Sequence, residues 1–260
     1  MGALAATSNR HYREPFEPLP RGFVHVPYDD LAAVRDAIDT RTVAVLMEPI
    51  EGQSGVVPMS DETLRGLRRL CDEHHLLLLL DEVQSGMGRT GGWWAHQHAG
   101  IVPDVMAVAK GLGGGLPIGA VLAGPRADIL EPGDHGTTFG GGPLVTAVAA
   151  AVLDAIDREG LVGNAARVGD RLRRGLLQLG RSGAPIAEVR GRGLMLGAVL
   201  SAPVAHQVVR AALDRGLLVN ATGASALRFV PPLVLTEAQA DDALERLGAA
   251  FEAASAEGSA

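Results

Sequence analysis

Leu76-Leu-Leu-Leu-Leu80-Asp81-Glu82-Val83-Gln84 is the stretch from which the fold can be read. Five consecutive leucines show no polar alternation and are far too few to span a bilayer. A short apolar run ending in a charge fits a strand buried on both faces, as in a parallel sheet. The same pattern recurs on either side. Residues 42–47 form a β-branched run that ends at Glu48-Pro49, residues 105–109 end at Lys110, and residues 119–123 follow. Between the first two runs, Pro58-Met-Ser-Asp61 opens a helical stretch to His74 with apolar Leu64, Leu67 and Leu70. Strands separated by helices predict an α/β fold with a mostly parallel sheet covered on both faces.

Beyond residue 143 the pattern changes. Residues 143–156 are alanine-rich and read as a long helix, and residues 164–179 as a second. Strands are expected at 186–190, 194–200, 217–219 and 226–230, with helices near 204–215 and 237–251, which describes a small α+β unit. A domain boundary is placed near residue 157, giving 1–157 and 158–260. No repeat or low-complexity tract interrupts this order.

The chain of 260 residues is 47% hydrophobic, enough for a sizeable core, and carries a net charge of −7 without runs of like charge. That balance argues against nucleic acid and anionic membrane as partners. Met1-Gly-Ala-Leu-Ala-Ala-Thr7 has neither a basic segment nor a long apolar one, so no export signal is read. The single cysteine, Cys71, allows no internal disulfide and reads as a small apolar residue on a helix. A cytoplasmic, enzyme-like domain is expected. The histidines of His74-His75 and His96-Gln-His98 lack ligands at a convincing spacing, and no metal site is expected.

One count points to chemistry. Of 23 basic residues, 22 are arginine and one, Lys110, is lysine. Arginine replaces lysine as a surface charge but not as an amine that sheds its proton and attacks a carbonyl. A sole lysine is therefore a candidate for covalent chemistry, against the plain alternative of a chance survivor. In an open α/β sheet, ligands bind beyond the carboxyl ends of the strands, where Asp81 and Lys110 both fall.

Spacing separates the glycine-rich segments. Gly111-Leu-Gly-Gly-Gly-Leu-Pro-Ile-Gly119 misses the dinucleotide fingerprint, since positions 116 and 118 are Leu and Ile, and Ala109 stands where a P-loop needs glycine. Gly136-Thr-Thr-Phe-Gly-Gly-Gly142, followed by Pro143, makes a plausible anion cradle or an ordinary loop.

Several segments together resemble the class III, fold type I, aminotransferases, in family order over nearly the whole chain. They are Glu48-Pro-Ile-Glu-Gly-Gln-Ser-Gly-Val56, Asp81-Glu-Val-Gln-Ser-Gly-Met-Gly-Arg-Thr-Gly91, Ala109-Lys-Gly-Leu-Gly-Gly-Gly-Leu-Pro-Ile-Gly119, His135-Gly-Thr-Thr-Phe-Gly-Gly141 and Leu227-Arg-Phe-Val-Pro-Pro-Leu233. Within the family the likeness is nearest to the acetylornithine type of arginine biosynthesis. The resemblance implies pyridoxal 5'-phosphate (PLP), an electron sink for a carbanion beside the reacting amine. It implies that Lys110 holds the cofactor covalently and moves a proton, that Asp81 faces the pyridine nitrogen, and that Gln84 bonds the ring 3′-oxygen. Val83 would pack on the ring with Glu82 beside it, both in contact with the cofactor. Thr138 would reach the phosphate of a neighbouring subunit's cofactor, and Thr137 and Arg228 would contact substrate, Arg228 through a bidentate grip on a carboxylate. A homodimer, an amino donor such as N-acetylornithine and a 2-oxo acid acceptor such as 2-oxoglutarate follow from the same likeness.

Three departures accompany it. The sequence opens just after the family's F-H-G-R-T segment, so a truncated PLP domain is expected, with an inactive fragment or half of a split enzyme as the alternative. Gln53 stands where relatives carry a glutamate that can pair with the substrate arginine. Gly142 replaces an asparagine.

Overall fold

All but the first residue of the leucine run enters a strand, Leu77–Asp81, in a computed structural model that describes residues 1–257. Contacts divide the chain into residues 1–43 and residues 44–260. The first unit holds three short helices, α1 (Gly2–Ala6), α2 (Arg10–Arg13) and α3 (Leu31–Ala37), with a 3-10 turn at Glu14–Phe16. Inside it, the His25 ring lies 3.2 Å from the Ala6 carbonyl and 3.2 Å from Arg13 Nη1.

The second unit begins with β1 (Ala44–Met47), then the short hairpin β2 (Ile50–Glu51) and β3 (Val57–Pro58), helix α4 (Asp61–Glu73), β4 (Leu77–Asp81), β5 (Val105–Val108) and β6 (Ala120–Ala123). Helix α4 starts where its sequence dictates. The Ser60 hydroxyl accepts the Thr63 N–H, Asp61 and Glu62 occupy the first turn, and Leu64, Leu67, Leu70 and Cys71 are buried on one face. The sheet order is β1-β4-β5-β6, with β1, β4 and β5 parallel. The expected strand at 119–123 forms, but it runs antiparallel to β5 at the sheet edge. This is the α/β architecture with a mainly parallel sheet.

Helices α5 (Pro143–Arg158) and α6 (Leu161–Arg181) follow, then β7 (Ile186–Arg192), β8 (Met195–Leu200), α7 (Ala205–Asp214), β9 (Asn220–Gly223), β10 (Ala226–Phe229) and α8 (Glu237–Glu257). The second sheet is antiparallel, in the order β7-β8-β10-β9. Its core gathers Leu172 and Leu176 of α6, Leu196, Ala198 and Leu227 of the sheet, Val208 of α7, and Leu247 and Phe251 of α8. The strand expected at 217–219 is displaced to β9. The chain needs those residues to leave α7: Gly216 is left-handed, and the Leu217 N–H closes back onto the Ala212 carbonyl. Leu217 and Val219 still pack on the core, while Leu218 is 85% exposed.

Candidate active site

The parallel register sets the site. Met47 pairs with Leu80, so Glu48 and Asp81, the next residue on each chain, emerge side by side at the carboxyl ends of β1 and β4. Asp81 pairs with Ala107, and β5 ends at Val108, two residues before Lys110. A carboxylate, a second carboxylate and the only lysine thus leave neighbouring strands at the same end of the sheet.

Lys110 takes a left-handed conformation, with φ of 42°, at the start of a 3-10 turn that runs to Gly113. A non-glycine residue there costs about 1–2 kcal/mol. Such strain is characteristic of positions held for function. Burial lowers the Lys110 pKa, an effect opposed by Glu48 and Asp81 and reinforced by Arg228. The direction favours a larger share of neutral, nucleophilic amine. Glu48 shifts the other way. Burial raises its pKa, and Asp81 adds to the rise, although the Gly52 N–H, 3.3 Å from Oε2, lowers it.

Asp81 accepts the Val83 N–H at 2.9 Å, which turns the chain sharply after the strand. Gln84 then lies over Gly52. A Cβ on Gly52 would sit 2.2 Å from Gln84 Oε1, so glycine is required for this approach. Arg228 reaches the same place from β10. Leu227 and Phe229 are buried in the second core, and the strand's alternation turns Arg228 to the other face. Its Nη1 donates to the Gly52 carbonyl at 3.1 Å and to Gln84 Oε1 at 3.5 Å. Arg228 Nε is buried without a hydrogen-bond partner among the described residues.

Glu82 is fully buried. Its Oε2 accepts from Ser85 Oγ at 2.7 Å and the Ala95 N–H at 2.9 Å, and its Oε1 from the His96 N–H at 2.9 Å and His96 Nδ1 at 3.0 Å. Burial raises its pKa, but these bonds outweigh burial and hold it below the ordinary carboxylate value. Val83 is half-buried beside it.

The threonines lie apart from this cluster in their bonding. Thr137 and Thr138 are exposed in the loop before α5, and Thr137 Oγ1 accepts the Gly140 N–H at 3.1 Å. Gln53 is exposed in the turn between β2 and β3, and its neighbour Gly52, not Gln53, supplies the carbonyl that holds Arg228. Glu48 stands out in the sequence only as part of a motif. The rule that singles out Asp81 and Lys110, a charge closing an apolar run, applies to it equally.

The donor set fits a PLP-type cofactor. It offers a nucleophilic amine, a carboxylate and a carboxamide on a turn drawn in by a bare glycine, and a guanidinium with an orphaned buried donor. Comparisons agree with that chemistry. The acetylornithine aminotransferase 1 of Bordetella pertussis is 51% identical over 245 residues, 93% of this chain and 62% of its own length. The acetylornithine aminotransferase of Gloeobacter violaceus is 48% identical over 252 residues, 96% of this chain and 63% of its own. The chain therefore spans under two thirds of these curated relatives.

Among solved structures, the ornithine aminotransferase of Toxoplasma gondii, crystallised with oxidised glutathione and described with PLP at partial occupancy in its active site, superposes with a TM-score of 0.93. It is 35% identical, over 98% of this chain and 61% of that one. The N-acetylornithine aminotransferase of Stenotrophomonas maltophilia gives a TM-score of 0.82 at 41% identity, over 89% of this chain and 62% of that one. The family model for aminotransferase class-III matches residues 1–251. With the motif segments in order, the sheet register that assembles them and this match along nearly the full sequence, the chain belongs to the class-III aminotransferases.

Proposed function

We propose that this chain carries the PLP-holding lysine and the substrate arginine of a transaminase. That enzyme moves an amino group from N-acetylornithine, or a similar ω-amino donor, to 2-oxoglutarate. The observation that carries the reading is Lys110: the sole lysine, left-handed, its amine pKa lowered, at the end of the sheet that bears Asp81. PLP supplies an electron sink for the carbanion formed at the amino-bearing carbon. Lys110 Nζ would hold the cofactor covalently and, as a free amine, would carry the proton between carbon centres. The Asp81 carboxylate would pair with the pyridine nitrogen and favour its protonated form. Gln84 and Val83 orient the ring, and Arg228 grips the substrate carboxylate, with its orphaned Nε as a ready donor.

Gln53 cannot form an ion pair, so among the described residues Arg228 is held by neutral oxygens, the Gly52 carbonyl and the Gln84 carboxamide, and remains available to an incoming carboxylate. Residues 1–157 belong to the PLP-binding domain and 158–260 to the small domain. Thr138 serves the cofactor phosphate of a second subunit of a homodimer and Thr137 contacts substrate, roles that suit their exposure. An inactive remnant is the less favoured reading, given relatives at about half identity.

The test is an absorbance spectrum of the purified protein with PLP, run beside Lys110→Ala, with borohydride trapping and peptide mapping. The expected result is a visible band in the wild type, trapped on Lys110 and absent from the variant. Glutamate should then form from N-acetylornithine and 2-oxoglutarate. A band that survives in Lys110→Ala would sink the assignment.

A further inference from the structure

Every polar atom of Glu82 is engaged inside the protein. Its N–H donates to the Ala107 carbonyl of β5 at 2.9 Å, and its carbonyl accepts the Gly86 N–H at 3.0 Å. The carboxylate takes four bonds from Ser85, Ala95 and His96, and both it and His96 are buried. Gly86 closes the same turn so tightly that a Cβ there would meet the Trp94 ring at 2.8 Å and the Glu82 carbonyl at 2.9 Å.

The bonding pattern requires a carboxylate. All four partners act as donors, and two of them, the backbone N–H groups of Ala95 and His96, cannot reverse. A glutamine would turn its NH2 toward one of those N–H groups whichever way it was flipped. A buried carboxylate is costly unless fully bonded, and here it is fully bonded. Asp81 immediately precedes this residue, and Gln84 stands two positions beyond it. The knot therefore fixes the backbone from which both side chains project, tying it on one side to β5 and on the other to residues 95–96.

We propose that Glu82 is a positioning residue: through Ser85, Ala95 and His96 it clamps the turn that presents Asp81 and Gln84 to the cofactor, without itself touching the cofactor. This rests on the PLP reading above. It assigns Glu82 a part different from the direct contact that the family resemblance suggested.

The test has a readout that needs no cofactor and one that does. In Glu82→Gln and in the milder His96→Leu, which leaves three donors on the carboxylate, amide hydrogen exchange at Val83 and Gly86 is measured against Leu196 and Ala198 of β8. Exchange at the turn should rise about tenfold while β8 stays unchanged. In the PLP-loaded protein, Glu82→Gln should bind PLP about tenfold or more weakly. Its visible circular dichroism per bound cofactor should change, although borohydride still fixes the cofactor to Lys110. His96→Asn, which can keep a side-chain donor, should stay near wild type.

Exchange that rises equally in β8 would mean a general loss of stability and would overturn the proposal. Unaltered ellipticity per bound cofactor in a wild type and variants that all bind PLP would overturn it while leaving the PLP reading intact. A wild type that takes up no PLP on Lys110 would overturn both.

Discussion

Strand β8 lies inside its sheet with Met195, Leu196, Ala198 and Leu200 buried, whereas all four residues of β6, at the edge of the parallel sheet, are exposed. The antiparallel sheet is covered by α6, α7 and α8 and closes its own core. The parallel sheet is well packed around Leu78 and Leu80, but it opens toward β6 and the loop before α5, where Val121, Ile129 and Phe139 are 70%, 77% and 89% exposed. The proposed site draws unevenly on them. The open sheet supplies Glu48, Asp81 and Lys110, and the closed one supplies Arg228. Rigidity around Leu227 and Phe229 lets the second sheet aim one guanidinium across to Gly52. The first sheet gathers several groups at its carboxyl end because parallel strands all point there.

The sharpest way to break this contrast is in the closed core. Leu227→Ala should cost about 2–5 kcal/mol, because the site is fully buried and packed from several elements. Urea unfolding measures it, and a loss below about 1 kcal/mol would contradict the description of a closed core. Next is the point where the two sheets meet. Gly52→Ala would drive a methyl into the Gln84 carboxamide and dislodge Arg228, at about 1–3 kcal/mol of overpacking strain. Weaker binding of carboxylate ligands by titration should accompany it, and unchanged affinity would show that Arg228 does not depend on this approach.

Asp104 braces the open sheet. It accepts the Leu78 N–H at 2.8 Å, Arg68 at 2.8 Å and Arg126 at 3.2 Å. Burial raises its pKa, but these partners outweigh burial and hold it below the ordinary value. A depressed carboxylate stabilises the fold above its unfolded pKa, near ~4, and that contribution is lost as pH falls through the lower folded value. Asp104→Asn should therefore cost about 1–2 kcal/mol at neutral pH, and the gap from wild type should shrink in acid. Denaturation midpoints at several pH values decide it, and a gap independent of pH would remove the electrostatic account. The smallest effect is expected on the open edge, where Val121→Ala should change stability by no more than about 0.5 kcal/mol. A larger loss in the same unfolding assay would show that β6 is covered in solution.

Much of the parallel sheet is legible in the sequence alone. The apolar runs at 42–47, 76–80 and 105–109 give three parallel strands, because short runs of Leu, Val and Ala bounded by charges are too short for a helix of ordinary length and suit a largely buried strand. Ser60 caps its helix as the sequence indicates. The strand expected at 217–219 is displaced because apolar residues leaving a helix can pack on a core without entering a ladder. Glu48 closes an apolar run as Asp81 does, but its place beside Asp81 comes from strand register, which pattern alone does not reveal.

By itself, then, the sequence determined the type of chemistry and where along the chain it lies. A lone lysine and a carboxylate closing an apolar run are local facts, set by side-chain reactivity and strand pattern, while Arg228 was marked by the resemblance of its segment. Only the tertiary structure decided what those residues and their neighbours touch. It placed Glu48 beside Asp81, gave Arg228 the Gly52 carbonyl rather than Gln53, and closed Glu82 into a knot with Ser85, Ala95 and His96. The Arg228 contact spans 176 residues, whereas the Glu82 knot closes within residues 82–96. They arise from strand register, close backbone approach and the need of a buried carboxylate for donors, and no window of sequence contains all the partners.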